Sequence, residues 1–379
     1  MPEARRRIVY LSGTRADFGL MRRSLLATAA GGVTVEVAVT GMHLSTAHGH
    51  TIDEVRASGL PVCAEIPTDM ATRTPASMSH AIAQTLDGVT RLLAAAPPDA
   101  LLLLGDRGEM LAGAIAALHC GVPAVHVHGG ERSGTVDEPV RHAISKLAAY
   151  HLVATQASRE RLERMGERAD RIFVTGAPGI DGLAADGAMP REECLRQIGL
   201  PAGARFLLVV FHPVVQQADE AKQQALALAR AAAAAGIPMV WMEPNADAGA
   251  LGVLAALDET TLPPGSVRRA HLGRELFAAA MNHCDAMLGN SSAGIIEAAT
   301  FGTPVVNVGD RQQLRDHGPN VVDVPAQEEA IVQALRAQLA HGRWPCDNPW
   351  GDGRTAPRIA SLLATLPLHR GLLEKTNSY

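Results

Sequence analysis

Residues Ala100–Leu104 read ALLLL and run straight into Gly105, Asp106 and Arg107. So short and uninterrupted an apolar run is a strand covered on both faces, as in a parallel sheet between helices. Parallel strands are joined by crossovers, so this run commits its flanks to βαβ units. The flanks agree. An apolar run at 7–11 leads through a Gly-rich turn into a helical pattern over 20–29, and a second run at 33–40 ends at Gly41. Gly108–Cys120 reads as a helix, Ala124–Val127 as a strand and 136–149 as a helix.

The rhythm breaks over 176–201, where Gly and Pro cluster, and a linker is expected there. It then resumes with strands at 206–210, 239–241, Ala286–Gly289 and Val305–Val308 and an Ala-rich helix at 218–235. The chain has 379 residues, more than one core usually serves, so two domains are expected. The expected fold is α/β, with two Rossmann-like doubly wound domains at 1–180 and 190–354 and the active site in the cleft between them. A net charge of −5 offers no attraction for nucleic acid or an anionic membrane. No apolar run is long enough to span a bilayer, and the N-terminus lacks a signal-peptide core. Five scattered cysteines without a C-x-x-C pair fit reduced thiols, which points to the cytoplasm.

Polar residues gather just after the predicted strands. Ser12-Gly13-Thr14-Arg15 opens the first helix, where backbone N–H groups and Arg15 suit an anion, although an ordinary turn with a surface arginine fits too. Asp106 follows the most apolar strand. Desolvation there would raise its pKa and suit it to acid–base work, with Arg107 pulling the other way; the plainer reading is a helix cap. His126, His128 and Glu131, then Asp137, Glu138, Arg141 and His142, form the densest ionisable segment. His-x-His beside acids invites a metal, but no ligand spacing supports one and none is expected. In the second half His212, Asn245 and the turn Gly289-Asn290-Ser291-Ser292 follow strands. That turn is a diphosphate cradle at a helix N-terminus, with Ser291 alone also readable as a cap. Glu297 is placed to accept ribose hydroxyls, and Arg311 and Arg315 to close over the nucleotide.

These segments resemble one family. SGTRADFGL, GDRGEML, HVHGGERSGTVDEPVRHAISKLAAYH, TGAPGID, FHPV, PNADAG and GNSSAGIIEAATFGTPVVNVGDRQ are similar, in order, to the UDP-N-acetylglucosamine 2-epimerases, specifically the hydrolysing branch of sialic- and nonulosonic-acid pathways. The resemblance implies a GT-B-like fold whose C-terminal helix, 355–379, returns to the first domain. It implies anti-elimination of UDP from UDP-N-acetylglucosamine to 2-acetamidoglucal, then addition of water to give N-acetylmannosamine, with no cofactor. By position, Arg15, Arg107, His212, Asn245, Ser291, Ser292, Glu297 and Arg311 look like nucleotide and diphosphate contacts. Asp106, His128, Glu131 and Asp137 look like the acid–base set, and His212 like a contact of the leaving diphosphate. Relatives carry glutamate at the His128 position, which leaves room for a modified sugar such as a UDP- or GDP-linked 2,4-diacetamido-6-deoxy hexose. A homodimer is the expected assembly. A GT-B glycosyltransferase and a nucleotide-sugar-binding regulator are the competing readings.

Overall fold

The protein is described from a computed structural model covering residues 5–46, 49–69, 74–245 and 247–379. In the first half β1 (Arg7–Ser12), α1 (Arg15–Ala30), β2 (Thr34–Thr40), α2 (Ile52–Ala57), β3 (Val62–Ile66), α3 (Pro75–Ala95) and β4 (Ala100–Leu104) are followed by α4 (Gly108–Cys120), β5 (Ala124–Val127), α5 (Asp137–Leu147), β6 (Tyr150–Val153), α6 (Gln156–Arg164) and β7 (Ile172–Val174). The seven strands are parallel in the order β3-β2-β1-β4-β5-β6-β7. All five residues of β4 are buried, as a strand between two helical layers requires. Apolar clusters cover both faces, one under α1 and the other under α3 and α4.

After α7 (Leu183–Asp186) and α8 (Arg191–Ile198) the second half runs β8 (Leu207–Val210), α9 (Ala221–Ala233), β9 (Met239–Met242), α10 (Ala250–Glu259), β10 (Val267–Arg269), α11 (Arg274–His283), β11 (Ala286–Gly289), α12 (Ser292–Ile296), β12 (Val305–Val308), β13 (Val321–Val324) and α13 (Glu328–His341). Its six parallel strands lie in the order β10-β9-β8-β11-β12-β13. Both sheets therefore reverse direction beside their first strand, at β1/β4 and at β8/β11. Ligands of doubly wound folds bind at the carboxyl ends of strands at such a point.

The 176–201 segment is not the open linker its Gly and Pro content suggests. Ile180, Leu183, Cys194, Leu195 and Ile198 are buried against the second sheet, because α7 and α8 carry apolar faces that must be covered. The chain crosses between the sheets here and again at 350–355, and the two crossings are bonded together. The Ala177 N–H donates to the Trp350 carbonyl (2.9 Å), and the Asp181 carboxylate accepts from the Thr355 N–H (2.7 Å) and from that of Ala356, capping α14 (Thr355–Thr365). Gly351, at φ 137°, lets the crossings touch: a Cβ there would sit 3.1 Å from Gly176 Cα. Helix α14 packs on α1 in the first half. The helix expected over 355–379 stops at Thr365, just before Leu366-Pro367. A short turn at Arg370–Leu373 and an extended tail follow. Among the described residues no helix is long and apolar enough to cross a membrane.

Candidate active site

The loop after β1 is closed from within. Asp17 accepts from the Gly13 and Thr14 N–H groups (3.0 and 2.7 Å), Thr14 caps α1 in return, and Ser12 joins Asp17 to His43. This fixes the start of α1 and so places Arg15, which bonds Glu54 (2.6 Å) and reaches toward Gly273 of the second half.

The loop after β4 departs from expectation. Asp106 is not a raised carboxylate. Burial pushes its pKa up, but Arg141, with Arg315 behind it, outweighs that and holds it at about 2. Arg141 is itself buried and ion-pairs with Asp106 while also donating to the Glu131 carbonyl (3.1 Å) and Ser133 (3.2 Å). Asp106 caps nothing, since α4 begins without a side-chain cap. Arg107 turns away from its neighbour and spans the cleft from Glu109 (3.3 Å) to Asp247 (3.4 Å). Asp137, at the start of α5, is the raised group. Burial, and then repulsion from Asp106, lift it to about 6 despite Arg311 at 3.9 Å.

The two histidines after β5 have different jobs. His126 points into the framework, with Nε2 at the Gly105 carbonyl (2.7 Å) and Nδ1 at the Ser145 hydroxyl (3.1 Å). His128 points to the cleft from a left-handed backbone (φ 65°), a strained state for a residue with a side chain. Its Nδ1 bonds the buried Glu131 carboxylate, which also pairs with Arg315 from the second half. Burial, and then Arg315, lower the His128 pKa to about 3, so the imidazole is neutral. A neutral ring donating through Nδ1 keeps a lone pair on Nε2 and can act as a base.

In the second half Asn290 braces β8 to β11, exchanging 2.8 Å bonds with the His212 backbone in both directions. Burial, and then Arg311, lower the His212 pKa to about 3. Its Nδ1 accepts from the Asn245 N–H (3.2 Å), so Nε2 carries the proton and is a donor. Gly289 is obligatory, because a Cβ there would lie 2.0 Å from the Val210 carbonyl oxygen. Ser291 accepts from the Ala293 N–H (3.3 Å) and caps α12, which Ser292 begins. Arg311 donates to the Asn290 carbonyl (3.2 Å) at this turn. Glu297 is buried and pairs with Arg274, which also reaches the Gly179 carbonyl and Asp186.

The fold thus joins Asp106, His128, Glu131 and Asp137 to Arg311 and Arg315, and Arg107 to Asn245 and His212 through Asp247. Arg15 bonds Glu54, and the Ser291 hydroxyl accepts within its own turn, at the start of α12. Sequence reasoning missed Arg141 as the partner of Asp106, although it lies one turn from Asp137 on the same helix. It also missed Arg274, which no motif marks. Among the described residues no three His, Cys, Asp or Glu side chains form a metal-binding group.

Two doubly wound sheets facing each other at their switch points define a GT-B-like fold. The same architecture recurs in a Methanocaldococcus jannaschii UDP-GlcNAc 2-epimerase solved with UDP-GlcNAc and UDP (TM-score 0.80, 18% identity, 94% of this chain and 99% of that one). It recurs also in the Neisseria meningitidis UDP-GlcNAc 2-epimerase bound to UDP-GlcNAc (TM-score 0.77, 17% identity, 94% and 99%). The chain belongs to the UDP-N-acetylglucosamine 2-epimerase family, whose signature it matches over residues 27–364. It is 45% identical to the Legionella pneumophila UDP-N,N'-diacetylbacillosamine 2-epimerase (hydrolyzing), over 99% of this chain and 100% of that one. With the UDP-N-acetylglucosamine 2-epimerase of Neisseria meningitidis serogroup B it shares 32% identity over 92% of each. It is accordingly an enzyme, a nucleotide-sugar 2-epimerase of the hydrolysing kind.

Proposed function

We propose that the substrate is UDP-N,N'-diacetylbacillosamine, a UDP-linked 2,4-diacetamido-6-deoxy sugar, rather than UDP-N-acetylglucosamine. The observation that carries this is the 45% identity, end to end, with a relative named for that substrate, against 32% with one named for UDP-N-acetylglucosamine. Arg15, Arg107, His212, Asn245, Ser291, Ser292, Glu297 and Arg311 would hold the nucleotide and diphosphate. His212, donating from Nε2, is suited to the departing phosphate oxygen. The C1–O bond breaks and UDP leaves with the bonding pair. The C2 proton passes to His128 Nε2 or to Asp106, leaving a 2-acetamidoglycal. Water then adds its hydroxyl at C1, while C2 takes a proton on the opposite face. Asp137, protonated below about pH 6, is suited to supply or steer that proton. The same reading divides the chain into units at 1–180 and 190–354 and makes the enzyme a cytoplasmic homodimer supplying nonulosonic-acid synthesis. The five free cysteines fit a reducing compartment.

Nucleotide release, UDP from UDP-N,N'-diacetylbacillosamine and UDP-N-acetylglucosamine and GDP from the GDP analogue, tests the assignment. We expect kcat/KM to favour the first by at least about tenfold, the scale on which a pocket discriminates one substituent. Equal or faster turnover of UDP-N-acetylglucosamine would reverse the assignment.

A further inference from the structure

Behind the site, away from the cleft, Lys375, Asn377 and Ser378 are bonded to the framework of the first half. The Lys375 ammonium is largely buried and donates to the carbonyls of Ser145 and Ala148, both at 2.8 Å. These carbonyls close α5, whose last turn has no partner of its own for them. Lys375 is thus a cationic C-cap supplied from a distant part of the chain, where the helix dipole favours positive charge. It also pairs at 2.5 Å with Glu167, a buried carboxylate that pairs with Lys146 (2.8 Å) and His151 (2.9 Å). The Ser378 N–H donates to the Gly166 carbonyl (2.9 Å), and the Tyr379 ring lies beside Gly166, whose φ of 86° favours glycine.

This anchor leads to the reacting groups in two short steps. Ser145 is shared, its carbonyl bonded to Lys375 and its hydroxyl to His126. His126 in turn holds the Gly105 carbonyl, and the next residue is Asp106. One turn before Ser145 on α5 is Arg141, the ion-pair partner of Asp106, and one turn earlier still is Asp137. His151 lies opposite His126 in the parallel register of β5 and β6, so the Glu167 cluster backs the same strand end.

We propose that Lys375 is a positioning residue for catalysis: by capping α5 and anchoring Glu167, it sets the register in which Arg141 meets Asp106 and Asp137 faces the cleft. It touches no substrate and acts through α5. The uncapped helix keeps its apolar contacts and its fold. It loses the fixed end from which Arg141 and Asp137 are measured. Displacement of a reacting group by about 1 Å costs on the order of a hundredfold in rate, whereas the second half's nucleotide turn is held by its own bonds, His212 to Asn290 and Arg311 to the Asn290 carbonyl, with Arg311 facing α5 at Asp137 from 3.9 Å.

The inference rests on the proposed roles of Asp106 and Asp137, and the test separates the two. The full-length Lys375→Met, Lys375→Arg, Glu167→Gln and Asp106→Asn proteins are compared at a temperature where circular dichroism shows each to be folded. For Lys375→Met we expect kcat to fall by about 10- to 100-fold, with KM and UDP affinity within about twofold of the parent. Lys375→Arg, which keeps charge and donors, should restore most of the turnover, and Glu167→Gln should fall between the two. Should Lys375→Met not fold, the Arg and Gln variants carry the same comparison. Unchanged kcat in Lys375→Met and Glu167→Gln, with Asp106→Asn inactive, overturns the positioning role alone. A matched fall in kcat and UDP affinity that Arg does not rescue also overturns it, leaving a structural clamp. An active Asp106→Asn protein instead overturns the site reading on which the inference stands.

Discussion

His128 and His212 are both neutral and follow strands of opposite sheets, yet they present opposite faces to the cleft. His128 gives its Nδ1 proton to Glu131 and offers a lone pair, while His212 accepts a backbone N–H and offers a proton. The difference extends to their surroundings. Around His128 the first sheet gathers carboxylates displaced in both directions, Asp106 down to about 2 and Asp137 up to about 6. Around His212 the second sheet sets backbone donors, a glycine-bound turn and Arg311. On the proposed function, one wall moves protons and the other holds the anion of the nucleotide. A pair of carboxylates with pKa values pushed apart is how one site keeps a base and an acid at the same pH.

Asp106→Asn should break the first wall without disturbing the second. We expect turnover to fall about 10²–10⁴-fold, the contribution of a positioned acid or base, with UDP affinity retained. Asparagine still accepts from Arg141, so the helix register survives. Loss of UDP binding in calorimetry would merge the two walls into one function. Arg311→Ala is the converse. It should weaken UDP binding by about 1.5–3 kcal/mol, the scale of a hydrogen bond to a charged group, and calorimetry showing unchanged affinity would remove Arg311 from the anion site.

The smallest effect sharpens the carboxylate contrast. Asp137 titrates near its ordinary 3.8 when unfolded and at about 6 when folded, so the folded state holds the extra proton. Its contribution to stability is complete below about pH 4 and is lost as pH rises toward 6. Asp137→Asn should therefore gain about 1–3 kcal/mol over the parent at pH 7.5, a few degrees in Tm, and lose that advantage at pH 4. Thermal melts across that range check it, and a pH-independent difference would mean that Asp137 is not raised.

Ala100–Leu104, Ala124–Val127, Ala286–Gly289 and Val305–Val308 are legible to the residue, because central parallel strands are mostly apolar and Gly or polar residues end them. The three-residue edge strand β10, Val-Arg-Arg, carries no such signal, since only half of it is covered. For the site, the strand-end positions were readable and the partnerships were not. From its apolar strand Asp106 reads as a raised carboxylate, with its neighbour Arg107 alone to pull the other way. The residue that decides its charge, Arg141, is brought by a helix from 35 positions away. Arg315 reaches Glu131 across 184 positions, and His126 looks like His128 until the sheet turns one inward. Residue type and local pattern place a group, whereas its protonation belongs to whatever the other elements bring against it.

The paired crossings at Ala177 and Trp350 carry a mechanical consequence. Halves joined by one strand of chain keep three rotational freedoms and can twist as well as swing. Two crossings bonded side by side suppress twisting, leaving a single easy axis along the line between them. Any opening of the cleft about that axis would change its width more than its lateral alignment, and would return Arg311 to Asp137 and Arg315 to Glu131.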